Sequence, residues 1–218
     1  MSQLEHTQTL GPAQLGQLTR EQLAELVSRL QGQLAAARAE LDQEKITDSL
    51  TRLANRDFFF ATLARVCSRA RRFGQMVCMG LVNVDEFSLI NKQYGHLAGD
   101  LVLTNVADLL RKVVRDYDLL ARFGKDEFVF AVDNGDMKLA ERLAERVRAA
   151  VAGHPFCYED HVLPVAVTTG VVCARADQLA DRPELLVRAA LDAVAAARAK
   201  GRGQSCCREL TPPLQPTA

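Results

Sequence analysis

The sequence predicts an α+β fold: a mixed β-sheet packed with helices and preceded by one long helix. Three observations carry that reading. Apolar runs at 76–84 and 162–173 lack the alternation of a half-exposed strand, so they suit strands covered on both faces. Stretches with helical periodicity fall between them. Around Gly124-Lys125, two β-prone stretches, 119–123 and 128–132, form a hairpin that interrupts the strand–helix alternation and disfavours an all-parallel sheet.

Residues 1–18 are polar, rich in Gln and Thr, and expected to be flexible. Thr19-Arg20-Glu21-Gln22 is a capping-box pattern that starts a helix over 19–47. Leu23, Val27, Leu30, Leu34, Ala37 and Leu41 follow at alternating four- and three-residue steps, a heptad seam with Arg, Glu and Gln elsewhere. A parallel coiled-coil homodimer would bury that seam; packing back on the chain's own domain is the alternative. A polar break at Thr47-Asp48-Ser49 follows, with Asp48 placed to cap the helix over 58–73. Next come the first buried strand, a short helix over 86–94, a longer one over 97–114, the hairpin, and a helix over 137–151. After the second buried strand, Asp181-Arg182-Pro183 opens a last helix to about Ala199, with proline in its first turn. An edge strand ends a globular domain spanning 48–210, and 211–218 is a tail.

Composition excludes several classes. With 27 basic and 27 acidic residues, the overall charge gives no preference for nucleic acid or an anionic membrane surface. No apolar run approaches the roughly 20 residues that span a bilayer, and residues 1–17 lack the apolar core of a secretion signal. The expected location is cytoplasmic, with the six cysteines reduced. Cys78 and Cys173 fall inside buried strands, and Cys206-Cys207 is a candidate redox pair. His154, Cys157 and His161 lack a further cysteine to complete a zinc set.

The hairpin carries the candidate chemistry. Glycine first and any residue second suits a two-residue type II′ turn, which places Asp126 and Glu127 just past it at the sheet's edge. Adjacent carboxylates on a rigid element can bind a metal or serve as acid and base. Spacing alone leaves open that they are solvated turn residues.

Five segments in order then resemble the GGDEF domains, the diguanylate cyclases of bacterial second-messenger signalling. Asp48-Ser49-Leu50-Thr51-Arg52-Leu53-Ala54-Asn55-Arg56 is similar to the family's DxLTxLxNR opening. Tyr94-Gly95-His96-Leu97-Ala98-Gly99-Asp100 covers its GHxxGD, and Arg122-Phe123-Gly124-Lys125-Asp126-Glu127-Phe128 its RxGGDEF signature. Thr168-Thr169-Gly170 stands at its SxG strand, and Ala197-Arg198-Ala199-Lys200-Gly201-Arg202 at its AKxxGR end. The resemblance implies a palm-like domain in which each protomer of a dimer holds one GTP, and two divalent ions support condensation to cyclic di-GMP.

Three departures meet at the implied reaction centre. The family's DxDxFK segment reads Asn83-Val84-Asp85-Glu86-Phe87-Ser88, so Asn83 replaces a metal carboxylate and Ser88 a phosphate-binding lysine. An amide offers one neutral carbonyl where a carboxylate can bridge two ions. Asp85 shares Asn83's face but lies about 6–7 Å farther along a strand. Lys125 replaces the signature's second glycine. Mg²⁺ is therefore expected to bind weakly, at Asp126 without its partner carboxylate, with Glu127 as the catalytic neighbour.

Other positions match. The resemblance makes Asn91 and Asp100 guanine-reading residues (helix capping is the alternative), and Arg198 and Arg202, with Gly124, part of a GTP-like site. Arg115-Asp116-Tyr117-Asp118 is separated from Gly124 by five residues, similar to the family's inhibitory RxxD site for cyclic di-GMP. A guanidinium can fork onto guanine O6/N7 or phosphate, while a carboxylate accepts from guanine N1 and N2; the alternative is a helix-end ion pair. The expectation is a catalytically inactive receptor that binds cyclic di-GMP at Arg115 and Asp118, with GTP as a second ligand and an unidentified protein partner downstream. The competing readings are an active cyclase that tolerates Asn83 and a dimerisation scaffold that binds no nucleotide.

Overall fold

The computed structural model describes residues 19–179 and 182–210, the side chains of 23 and 35–45 excepted. The expected flexible stretch 1–18, the tail 211–218 and Asp181 lie outside the described residues. The chain divides into two units between Lys45 and Ile46.

In the first unit, α1 (Arg20–Ile46) opens on the expected capping box: Thr19 N donates to Gln22 Oε1 (2.9 Å) and Gln22 N to Thr19 Oγ1 (3.3 Å). Val27, Leu30 and Leu34 stand 50%, 48% and 52% exposed on this helix. Leu23, Ala37 and Leu41 are among the undescribed side chains.

The second unit holds a five-stranded sheet in the order β2-β3-β1-β6-β7, made of β1 (Met76–Val84), β2 (Leu119–Arg122), β3 (Glu127–Asp133), β6 (Val167–Arg175) and β7 (Ser205–Glu209). All neighbours are antiparallel except β6 and β7, so the sheet is mixed, as expected. Eight of β1's nine residues are buried because helices cover both faces. One face packs against α3 (Phe87–Tyr94), α4 (His96–Val113) and α5 (Met137–Ala152), around Phe128, Phe130, Val106 and Val147. The other packs against α2 (Arg56–Arg72) and α6 (Glu184–Arg198), around Phe59, Leu63, Leu81 and Leu186. Full burial of each such side chain contributes about 1.5–3 kcal/mol, so the two cores fix β1 between them.

Three local expectations change. Residues 162–173 do not form one strand: β4 (Phe156–Tyr158) pairs with β5 (His161–Leu163) in a separate ribbon, and β6 begins only at Val167. Pro164 lies in the break, and proline has no N–H for a ladder. Asp48 does not cap α2. Asn55 does, accepting from Phe58 N at 2.9 Å.

The third change concerns the thiols. Cys78 and Cys173 are directly opposed on β1 and β6, with Cα atoms 4.0 Å apart, and are joined by a disulfide. Sequence spacing could not show this, because the pair depends on antiparallel register. Cys206 and Cys207 are free, and their side chains enter opposite cores, so they do not face each other as a redox pair. Burial pushes the Cys207 thiol up to about 11, followed in effect by Glu141, which disfavours the reactive thiolate.

The disulfide closes a separation of 95 residues across the central strands, which in the chain-entropy view contributes about 2–4 kcal/mol. Urea unfolding with a phosphine reductant should therefore show a lower midpoint than without it. The Cys78→Ser/Cys173→Ser protein should be insensitive to reductant. Equal midpoints for the parent chain in both conditions would exclude the crosslink.

Candidate functional site

The site is built where the segment before α2 grips the β2–β3 hairpin. Asp48 Oδ1 accepts from Thr51 N (2.8 Å) and Thr51 Oγ1 (2.7 Å), folding 48–53 into a wide turn closed by Asp48 N donating to Leu53 O. The Arg122 guanidinium then ties this turn to the hairpin. Its Nη1 contacts both Asp48 carboxylate oxygens (3.2 and 3.3 Å), its Nε donates to Gly124 O (3.2 Å) and its Nη2 to Lys125 O (2.8 Å). Burial alone would raise the Asp48 pKa; the Thr51 hydroxyl and amide, then Arg122, outweigh it and hold the carboxyl below its ordinary value.

This clamp replaces the expected type II′ turn. Gly124 has no positive φ, as a first central residue of that turn requires. Instead Phe123 N and Gly124 N both donate to Glu127 O, at 2.8 and 3.2 Å. A Cβ on Gly124 would stand 2.7 Å from Glu127 Oε2, so the end of that side chain would have to shift. Phe123, 7% exposed, packs against Phe59 and Phe60 of α2, and the Arg56 guanidinium lies 4.7 Å from its ring centre. Lys125 is exposed at the tip.

On the neighbouring strand, Asn83 sits in register opposite Glu127 on β3 and Thr168 on β6. It is 3% exposed, and its Oδ1 accepts a short hydrogen bond from Arg198 Nη2. Burial first, then Asp126, push the Glu127 carboxyl above its ordinary value, against the pull of Arg198 and Arg56. Asp126 tethers the hairpin to β1 through its carbonyl, which accepts from Val84 N at 3.0 Å. Asp85 is fully engaged elsewhere: its carboxylate accepts from Thr168 Oγ1 (2.8 and 3.0 Å) and Gly203 N (2.9 Å). Ser88 is exposed on α3, and Arg202 pairs with Glu86.

The donors do not fit the pair of divalent ions that the resemblance implies. Asn83 is neutral and already accepts from a cation, and Asp85 is held by β6 and the loop before β7. Among the described residues no three His, Cys, Asp or Glu side chains converge as a metal set. A divalent ion about 4 Å from the Arg198 guanidinium would be repelled by roughly 8 kcal/mol at an effective dielectric of about 20.

Asn91 does not cap a helix, and neither does Asp100: α3 and α4 start at Glu86 and Gly95 without side-chain caps. Asn91 Oδ1 is buried without a partner, in a position that a Cβ on Gly99 would meet at 1.9 Å. Asp100 is exposed on α4.

A second locus lies apart from the hairpin tip. The helix-end ion pair between Arg115 and Asp118 is not formed: Arg115 Nη1 donates to Tyr117 Oη (2.7 Å), and Asp118 Oδ1 is buried without a partner. Asp118 borders a cavity of about 330 Å³ lined also by Thr62, Arg65, Arg69, Tyr117 and Asp133. Burial raises the Asp118 pKa, Arg115 opposes that, and Asp133 adds to it. Sequence reasoning missed Arg56, Arg65 and Arg69; helical periodicity marks them only as polar positions of α2.

A mixed sheet that carries adjacent carboxylates on a hairpin beside its central strand, with guanidinium groups over them, is a palm-like α+β module. The chain belongs to the GGDEF-domain family: the family model "Diguanylate cyclase, GGDEF domain" matches residues 45–204. It is 35% identical over 152 residues to diguanylate cyclase DgcP of Pseudomonas aeruginosa, covering 68% of this chain and 23% of that protein. With diguanylate cyclase TpbB of the same species it shares 33% identity over 202 residues, covering 92% of this chain and 46% of the relative. It therefore spans less than half the length of either. The coiled coil and GGDEF domain of DgcB from Caulobacter crescentus, solved in complex with cyclic di-GMP, matches with a TM-score of 0.77 at 23% identity, covering 85% of this chain and 96% of that one.

Removing the clamp's acceptor should be visible in stability. Asp48→Asn is expected to lower unfolding free energy by about 1–2 kcal/mol at neutral pH, read from urea denaturation. Because the folded-state pKa is depressed, the Asp48 contribution is present above the ordinary aspartate value and fades as pH falls through the lower folded one. The two proteins should thus converge in stability at strongly acid pH.

Proposed function

We propose that this chain is a degenerate GGDEF module that binds cyclic di-GMP at Arg115 and Asp118, turns over no GTP, and signals through a protein partner. The observation that carries the reading is Asp118 Oδ1, buried without a partner beside a cavity that two arginines line. An unpaired buried acceptor costs about 1–3 kcal/mol, which a ligand donor offsets. Guanine N1–H and N2–H₂ are such donors, and Arg115, whose side chain is hydrogen-bonded to exposed Tyr117, can turn onto the base or a phosphate. The complex of DgcB with cyclic di-GMP supports the ligand class by fold likeness. Loss of cyclase turnover is supported by Asn83 in the metal position and by the Arg198 contact that occupies its oxygen.

The GTP-like site of this reading comprises Asn91, Asp100, Gly124, Arg198 and Arg202, with Asp126 and Glu127 retained but short of metal donors. Among the described residues no helix is long and apolar enough to cross a membrane. The half-exposed Val27, Leu30 and Leu34 support a homodimer through α1.

Calorimetry tests the central reading. The full chain should bind cyclic di-GMP, and Arg115→Ala should weaken it by more than about tenfold; no heat from the parent chain would remove the proposal. Incubation with GTP and Mg²⁺ or Mn²⁺ should yield no cyclic di-GMP, and product would establish the active-cyclase alternative. Asp118 must be ionised to accept from guanine, and its folded pKa is raised. Affinity should therefore decline on acidification sooner than an ordinary aspartate would dictate, and a flat profile down to the ordinary value would exclude Asp118 as the acceptor.

Light scattering tests the dimer separately. Leu30→Lys/Leu34→Lys should convert a dimer of the full chain into a monomer.

A further inference from the structure

Asn83 and Arg198 form a unit apart from the Arg115 and Asp118 locus. Asn83 lies between Glu127 and Thr168 on the central strands, where the family pattern has a metal carboxylate. Its amide oxygen is taken by the Arg198 guanidinium. The cation that stands over this end of the sheet is therefore a side chain of the protein. Among the described residues the Asn83 bond is the single hydrogen bond of that guanidinium, which leaves its remaining N–H donors for a ligand.

We propose that the GTP-like site binds a nucleoside triphosphate without a divalent cation, with the Arg198 guanidinium holding the phosphates in the place of the metal. A planar guanidinium matches phosphate oxygens in a two-pronged contact and needs no carboxylate to hold it. A magnesium ion, by contrast, is usually anchored by one or two carboxylates besides the phosphates. Here one of those carboxylates is an amide, and Asp85 is engaged by Thr168 and Gly203. The exposed Lys125 at the hairpin tip adds a second cation on the approach to the site. Arg198 contributes binding alone: a guanidinium brings no metal-bound oxygen to activate a hydroxyl.

This inference rests on the family assignment and is independent of Arg115 and Asp118, so the two readings fail separately: one is titrated with GTP, the other with cyclic di-GMP. The test is calorimetric titration of GTP into the full chain, once with excess EDTA and once with millimolar Mg²⁺. The dissociation constants should agree within about threefold. Tightening by more than about tenfold with Mg²⁺, or absence of GTP binding in both conditions, overturns the proposal. Arg198→Ala should weaken the EDTA-state affinity by more than about tenfold, with Arg198→Lys recovering part of it, and unchanged affinity in Arg198→Ala counts against the proposal. Asn83→Asp restores the anion, so its GTP affinity should become Mg²⁺-dependent; equal affinities with and without Mg²⁺ in that variant would show that Asn83 does not set the metal requirement.

Discussion

Arg122 makes contacts with three separate acceptors: the Asp48 carboxylate, Gly124 O and Lys125 O. A side chain at the end of one strand thereby fixes the hairpin that follows it and the turn that precedes α2, 74 residues away in sequence. The start of α2 and the residues it carries over the hairpin connect to this contact. With the turn pinned, Arg122 N can donate to Ala54 O, and Asn55 is left in position to cap α2. With α2 started there, Arg56 comes over Phe123 and within electrostatic reach of Glu127. The hairpin's own backbone contributes less, since both closing amides share the single Glu127 carbonyl.

That arrangement explains how the fold accommodates Lys125, Asn83 and Asp85 as they stand. Lys125 sits at a position whose carbonyl, not its side chain, is held by Arg122, so replacing glycine there leaves the clamp intact. Asn83, itself buried, keeps a partner for its amide oxygen in the exposed Arg198 guanidinium. Asp85 has become part of the scaffold, joining β1 to β6 and to the loop before β7. A carboxylate used in that way is costly to release, because Thr168 and Gly203 N would both lose their acceptor in a nearly closed environment.

Much of the fold was legible because periodicity and turn chemistry are local. The capping box at Thr19, the two-face burial of β1 and the hairpin about Gly124 could all be read from neighbouring residues. What stayed hidden depends on register or on distant partners. The disulfide requires Cys78 and Cys173 to fall opposite each other across an antiparallel pair, and no spacing rule supplies that register. Arg198 reaches Asn83 over 115 residues, and Gly203 reaches Asp85 over 118. The strand over 162–173 was misread because its apolar run hid a single proline whose missing N–H divides the ladder. The turn type was misread because Gly-Lys suits a backbone-closed hairpin, whereas here a guanidinium closes it. At the candidate site the residue types were legible from family order, but their partners were not.

Four buried side-chain oxygens lack partners among the described residues, and they fall into two kinds. Thr169 Oγ1 and Ser205 Oγ lie on residues that face each other across β6 and β7. A hydroxyl can donate as well as accept, so either kind of neighbour would satisfy it. Asn91 Oδ1 and Asp118 Oδ1 differ, because neither atom can donate when the acid is ionised, and each needs a donor brought to it. Such an acceptor costs about 1–3 kcal/mol, in a molecule whose whole stability is on the order of 10 kcal/mol. Gly99 makes the Asn91 case sharper, since any larger residue would displace the amide oxygen from its position. The two acceptors belong to the two segments for which guanine contacts are proposed. On the proposed reading, Asn83 stands where a metal carboxylate would be while both acceptors remain open to a base, a combination that suits recognition of a nucleotide better than its conversion.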